Sequence, residues 1–338
     1  MSLYFKPAWW WRNPHLQTIY PALFRKKLLL ERQRERLITP DQDFLDLDWH
    51  EEPDKPLVIL LHGLSGSSES GYILGLQQAL QHVGFASVAL NFRGCSGSPN
   101  WRARCYHSGE TEDIAFVYEI LKERFPERPM AAVGFSLGGN VLLKWLGEQG
   151  SRVRLFAAVA VSVPLVLSEC ASRLDRGFSR IYRRYLLDEL KQYIGQKQDF
   201  LQNRGLQDEA ERLRELGDLS DISSFWQYDD RVVARLHGFK DASDYYHRSS
   251  SRQFLGAIRV PTLLIQAHDD PFMTPAVLPD SRELASQVVL EVQRWGGHVG
   301  FVHTKNQHGK TYWLDRRIPA YLLSKLDFGS HSDLDRQV

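Results

Sequence analysis

The sequence predicts an α/β fold: a mainly parallel central sheet flanked by helices, with a helical cap insertion near the middle of the chain. Three observations predict it. Short apolar runs of strand length alternate with amphipathic stretches of helix length through the first half of the chain. That alternation stops near Val163 and returns after about Gly256, with a charged, helix-patterned segment between. Glycine- and serine-rich loops follow the apolar runs, where such sheets gather their reactive groups.

In chain order, residues 1–34 read as an N-terminal arm. Trp9, Trp10 and Trp11 lead into NPHLQT, followed by basic clusters at Arg25–Lys27 and Arg32–Arg36. Aromatic residues tend to bury, so the tryptophans are expected to pack on the domain; the competing expectation is peripheral contact with a membrane surface. Residues 36–50, RLITPDQDFLDLDWH, alternate apolar and polar positions around Pro40 and Asp41, as an opening β-hairpin does.

LVILL at Leu57–Leu61 has the continuous apolar character of a strand covered on both faces. GYILGLQQALQHVG reads as a helix, FASVALNF as a strand and TEDIAFVYEILKERF as a helix. MAAVGF is a strand, Leu137 to Gln149 a helix, and VRLFAAVAVSVP a strand. After the helical segment, PTLLIQA and VVLEVQRW resume the strands and TYWLDRRIPAYLLSKL closes as a helix. The expected organisation is one α/β domain from residues 35–162 and 257–328, a cap over 163–256, and a frayed polar tail over 329–338.

Composition excludes several function classes. With 42 Lys plus Arg against 41 Asp plus Glu, the net charge of +1 gives no basic excess for a nucleic-acid partner. The longest apolar run, Leu155 to Val161, is far short of the about 18 residues a membrane span requires. Three cysteines, Cys95, Cys105 and Cys170, are an odd number without CxxC spacing. No disulfide framework is expected, and with no secretory signal at the start the expected location is cytoplasmic.

Gly134-Phe135-Ser136-Leu137-Gly138 stands directly between a strand and a helix. A serine that attacks a carbonyl must project from a tight strand-to-helix turn, and flanking glycines leave that turn uncrowded. The helix N-terminus beside it offers backbone N–H groups to a developing oxyanion. Such a serine needs a base held by a carboxylate. The base is expected after a late strand: His298 in GGHVG follows VVLEVQRW, with His303 as the alternative. The acid is expected after the preceding strand, where PTLLIQA runs into His268-Asp269-Asp270. Counting from the strand end selects Asp270, with Asp269 as the alternative capping the loop. The order Ser136, Asp270, His298 is that of the α/β-hydrolase arrangement.

After LVILL come His62-Gly63-Leu64, so the amides of Leu64 and Leu137 are the expected oxyanion donors. His62 at the strand exit is expected to hold its own loop. Arg93, Arg102 and Arg104 are expected to be solvated loop arginines; the alternative is that they, with His107, shape or charge the site entrance. No metal site is expected: HExxH and zinc-type Cys/His spacings are missing. No cofactor is expected either, since neither GLSGSS nor NFRGCSG satisfies GxGxxG or the phosphate-binding GxxxxGKS/T loop.

HGLSGSSES, NFRGCSG, YHSGETEDI, GFSLGGN, GGHVGF and the N-terminal NPHLQT together resemble the AB hydrolase 4 family, the YheT-like bacterial hydrolases with yeast, plant and animal relatives. The resemblance runs from about Asn13 to about Leu326. It implies an α/β-hydrolase fold, carboxylesterase or lipase-like activity on small-molecule or lipid-like esters, and a triad on Ser136, Asp270 and His298. Some relatives act on phospholipids, transfer acyl groups to alcohols or carry a membrane anchor; this sequence has no span, so membrane location and phospholipid specificity are not carried over. The expected function is ester hydrolysis, with acyl transfer from the same acyl-enzyme as the alternative and a non-catalytic binding protein as the minor one.

Overall fold

Leu57–Leu61 is buried along its whole length, and its residues divide between two apolar clusters, so it forms a strand covered on both faces. The computed structural model describes residues 5–25, 28–306 and 309–332. Its main sheet joins β1 (Gln33–Ile38), β2 (Phe44–His50), β3 (Leu57–Leu61), β4 (Ala86–Asn91), β5 (Met130–Phe135), β6 (Ala157–Val161), β7 (Thr262–Ala267) and β8 (Val288–Gln293). The spatial order is β1-β2-β4-β3-β5-β6-β7-β8; β1 and β2 run antiparallel to their neighbours and the rest are parallel.

The helices are α1 (Pro14–Phe24), α2 (Gly71–Gln81), α3 (Glu112–Arg124) and α4 (Leu137–Gln149), then the run between β6 and β7. That run contains α5 (Leu167–Leu174), α6 (Ser179–Asn203), α7 (Gln207–Arg214), α8 (Phe225–Tyr228), α9 (Arg235–His237) and α10 (Ala242–Ser249). A π-helical turn at Asp229–Ala234 joins α8 to α9, and α11 (Leu314–Ser332) closes the chain. On one face of the sheet Leu57, Ile59 and Leu61 share a cluster with Ile114 and Val117 of α3 and Val141 and Leu142 of α4. On the other, Val58 and Leu60 cluster with Ile73 and Leu76 of α2 and Ile318 and Leu322 of α11. Each such aliphatic side chain contributes roughly 1.5–3 kcal/mol by leaving water. The helices between β6 and β7 have an apolar cluster of their own, including Leu187, Leu190, Ile194, Leu213 and Tyr245.

Parallel register decides what meets at the carboxyl edge. Leu61 pairs with Gly134, so the loops after β3 and β5 leave the sheet side by side. Ala267 pairs with Gln293, which does the same for the loops after β7 and β8.

Four expectations are corrected. Arg93 is not a solvated loop residue: it is buried, donates to both oxygens of Asp113 (2.8–3.2 Å), and reaches Asp41 and Asp43 at 2.8 and 2.9 Å. The arginines of the Arg32–Arg36 cluster are neutralised: Arg34 and Arg36 form bidentate pairs with their cross-strand partners Asp48 and Asp46, and Arg32 pairs with Glu69. VVLEVQRW ends the main sheet but not the strands. Part of the expected final helix is instead β10 (Gly309–Tyr312), paired antiparallel with β9 (Val302–Asn306), because a four-residue strand leaves no readable alternation. The helix α11 continues to Ser332, into the stretch expected to fray, and residues 333–338 of that tail lie outside the described residues.

The tryptophans divide. Trp11 packs edge-on against Tyr20 at 4.9 Å, whereas Trp9 and Trp10 remain 74% and 55% exposed. No helix among the described residues is long and apolar enough to cross a membrane.

Candidate active site

Ser136 occupies the turn between β5 and α4 with φ 50°, a conformation few non-glycine residues adopt. The turn is held at both ends: the Ser136 amide donates to the Val161 carbonyl (2.8 Å) and the Ser136 carbonyl accepts from the Asn140 amide (3.0 Å). The flanking glycines are required by contact. A Cβ on Gly134 would stand 2.4 Å from the Gly138 carbonyl oxygen, and one on Gly138 would stand 2.4 Å from the His62 carbonyl oxygen.

The serine hydroxyl meets His298. Ser136 Oγ lies 2.9 Å from His298 Nε2, and His298 Nδ1 lies 2.8 Å from Asp270 Oδ2. With the ring proton on Nδ1, the ring donates to the carboxylate and accepts from the serine. Asp270 uses its other oxygen to accept the Phe272 amide (2.8 Å), and the Phe272 ring stacks on the His298 ring at 4.1 Å. Asp269 points away, accepting the Gly297 amide at 3.1 Å. Burial raises its carboxyl pKa to about 6.

Leu137 follows this serine, and the loop after β3 that carries Leu64 passes beside it: a Cβ on Gly63 would stand 3.2 Å from Ser136 Cβ. The Leu137 amide belongs to the first residue of α4, where helix geometry provides no internal acceptor. Leu64 is framed by two tyrosines: Tyr72 Oη accepts the Gly63 amide and Tyr106 Oη accepts the Ser65 amide, each at 2.9 Å. Both leucines line a cavity of about 80 Å³. Its walls come from Cys105, Tyr106, Leu190, Tyr193, Phe225 and the π-helical turn. Along α6, Leu190 faces this cavity, Tyr182 packs on Phe272 and Leu186 joins the segment's cluster, while Ile181 and Tyr185 are exposed.

The other histidines separate by their partners. His62 is buried, donates from Nδ1 to the Gly63 carbonyl (2.7 Å) and accepts the Phe92 amide at Nε2 (3.1 Å). Desolvation lowers its pKa to about 4, so it holds its loop as a neutral ring. His303 lies in β9 against Phe5, and His268 is exposed beside the acid loop. His107 and His237, with Glu110, form the group among the described residues whose ligand atoms are close enough for a metal ion, within 4.8 Å. Two of its members have other partners: the Gly109 amide donates to His107 Nδ1 (3.1 Å) and Arg104 donates to Glu110 (2.6 Å).

Sequence reasoning missed three supports. Asn140 donates to the carbonyls of Ser108 and Ser249 (2.8 Å each) and accepts the Ser251 amide, tying α4 to the returning chain. Gln266 exchanges two hydrogen bonds with Val163, fixing the exit of β6. Thr18 accepts the His298 amide at 2.9 Å. Asn140 and Thr18 stand in the distinctive motifs GFSLGGN and NPHLQT, but a motif alone names no partner.

The α/β hydrolase fold family matches residues 56–303. YheT of Escherichia coli (strain K12) is 41% identical over 331 residues, covering 96% of this chain and 95% of YheT. Phospholipase ABHD3 of Mus musculus is 26% identical over 336 residues, 96% of this chain and 79% of that protein. Among solved structures, the Pyrococcus furiosus esterase Pf2001 superposes with a TM-score of 0.52 at 17% identity, over 89% of this chain and 90% of the esterase. By fold, by family match and by identity across nearly its whole length, the chain belongs to the α/β hydrolases, in their YheT-like AB hydrolase 4 family.

Proposed function

We propose that the chain is a serine hydrolase of carboxylic esters that works through an acyl-enzyme on Ser136. One observation carries the reading: the unbroken contact from Ser136 Oγ to His298 Nε2 (2.9 Å) and from His298 Nδ1 to Asp270 Oδ2 (2.8 Å). Ser136 attacks the ester carbonyl while His298 takes its proton, and Asp270 steadies the imidazolium that forms. The tetrahedral oxyanion is held by the amides of Leu64 and Leu137. His298 then protonates the leaving alcohol, and water repeats the cycle to release the acid. No cofactor enters this scheme.

The segment over 163–256 acts as a cap, and the cavity beside Leu64 and Leu137 receives the acyl chain. The substrates proposed are esters of short- to medium-chain acids or lipid-like esters. Names of relatives support the class: ABHD3 is a phospholipase and Pf2001 an esterase. Exposed Trp9 and Trp10 suit brief contact with a lipid interface. Three free thiols suit a reducing compartment such as the cytoplasm.

The test is covalent labelling. A fluorophosphonate probe should modify Ser136, located by peptide mass spectrometry, and the purified protein should turn over p-nitrophenyl esters. An unlabelled Ser136 in the folded protein refutes the reading. Product analysis with added alcohol separates hydrolysis from acyl transfer.

A further inference from the structure

The motif NPHLQT has no place in the scheme above, yet it lies against its centre. Asn13 caps α1, its side chain accepting the amides of His15 (2.9 Å) and Leu16 (3.1 Å), with Pro14 at the first helical position. This fixes where the next turn of the helix projects. Gln17 is fully buried and pairs with both backbone groups of Val302: its Oε1 accepts the amide (2.6 Å) and its Nε2 donates to the carbonyl (3.1 Å). Its Nε2 also donates to the Trp11 carbonyl at 2.8 Å. Thr18 Oγ1 accepts the His298 amide at 2.9 Å and donates to the Pro14 carbonyl at 2.8 Å. The two residues therefore hold both ends of the segment from His298 to Val302.

That segment needs holding. Val299 and Phe301 have φ of 61° and 42°, conformations that cost roughly 1–3 kcal/mol each for residues with a side chain. The glycines around His298 are shaped to the helix. A Cβ on Gly297 would stand 2.6 Å from the Pro14 carbonyl oxygen, and one on Gly300 would stand 1.8 Å from the Gln17 carbonyl oxygen. Gly300 has no positive φ, so the close approach of α1 is what excludes a side chain there. A second contact closes the assembly from the helical segment: Tyr182 meets His15 Nδ1 at 2.9 Å and packs on Phe272, which stacks on the His298 ring.

We infer that α1 is a strap for the base, and that Gln17 and Thr18 are positioning residues that keep the His298 ring in reach of both Ser136 and Asp270. The inference rests on the reading of His298 as the base. Misplacing a catalytic group by about 1 Å costs about 100-fold in rate. Thr18→Val keeps the shape and removes the acceptor, whereas Thr18→Ser keeps the acceptor.

The experiment measures kcat and KM on p-nitrophenyl butyrate, the concentration of reactive sites by fluorophosphonate titration, and Tm. Wild type, Thr18→Val, Thr18→Ser, Gln17→Met and Ser136→Ala are compared. Thr18→Val should lower kcat per titrated site about 10- to 100-fold with KM within about threefold, and Thr18→Ser should restore it to within about threefold of wild type. Gln17→Met should act in the same direction and lower Tm as well, since it strands the buried polar groups of Val302. Near-wild-type kcat in Thr18→Val, or an equal loss in Thr18→Ser, overturns the strap while an inactive Ser136→Ala leaves the serine mechanism standing. If Ser136→Ala itself keeps its turnover, the mechanism falls and the strap with it.

Discussion

Asp269 and Asp270 are adjacent in sequence and face opposite duties: Asp270 Oδ2 meets His298 Nδ1 at 2.8 Å, while Asp269 Oδ1 accepts the Gly297 amide at 3.1 Å. Both therefore touch the histidine loop, one at the ring and one at the backbone. An asparagine at 270 has the same size but offers the ring an amide, which permits the wrong tautomer. Asp270→Asn should lower kcat about 10⁴-fold. Asp269→Asn still presents an oxygen to the Gly297 amide, so its loss should stay within about tenfold. Steady-state kinetics of the two variants side by side decide between the carboxylates; a larger loss at Asp269 reverses their roles.

The cavity beside Leu64 and Leu137 yields a prediction about chain length. Leu190, from α6, is one of its walls. Leu190→Ala opens room at the apolar end, and each extra methylene that leaves water contributes about 0.8 kcal/mol, roughly fourfold in kcat/KM. The ratio of octanoate to butyrate ester turnover should rise at least about tenfold. An unchanged ratio over a series of p-nitrophenyl esters would mean that the acyl chain lies elsewhere.

What could be read from the sequence had short-range causes. The runs LVILL, MAAVGF and PTLLIQA announce buried parallel strands because they are almost wholly apolar, whereas VVLEVQRW mixes apolar and polar residues and forms the half-exposed edge strand; the residues just past all four inherit a common edge from register alone. The meeting of Ser136, Asp270 and His298 at that edge was legible for that reason. Thr18 was not: its partner is His298, 280 positions away, and nothing local in NPHLQT names that partner. Arg93 was read as solvated because its carboxylates come from two distant places, Asp41 and Asp43 in the turn after β1 and Asp113 in α3. The strand Gly309–Tyr312 is too short to show a period. Contacts between distant segments, rather than weak patterns, account for most of what was missed.

Arg93 should be among the least replaceable side chains outside the site. It is 3% exposed and is the cation shared by Asp41, Asp43 and Asp113 at 2.8–2.9 Å. Arg93→Met would leave those carboxylates facing one another in a desolvated setting, and should cost about 3–5 kcal/mol. Arg93→Lys keeps the charge but loses the fork that serves three partners at once, so it should recover less than half of that. Urea denaturation of the variants measures both; a loss below about 1 kcal/mol for Arg93→Met would show the ion cluster to be incidental.

Asp229 makes stability fall between about pH 4 and about pH 7. It sits in the π-helical turn, accepts the Tyr246 hydroxyl at 2.7 Å and lines the cavity with Tyr228 and Tyr245. Desolvation raises its carboxyl pKa from 3.8 to about 7. The folded state thus holds this proton more tightly than the unfolded chain, so the group lowers stability as pH rises from about 4 to about 7, and the penalty is complete above that. His62, lowered to about 4, and His237, lowered to about 3, act with the opposite sign, because the unfolded chain protonates its histidines first as pH falls below 6.5. Asp229→Asn preserves an acceptor for Tyr246 and removes the titration. Relative to wild type it should gain stability at every pH above about 5, and the margin should widen by about 2 kcal/mol between pH 5.5 and pH 8.5. Urea unfolding of both proteins at the two pH values measures that margin. If it is the same at both, the Asp229 carboxyl is not held neutral by burial.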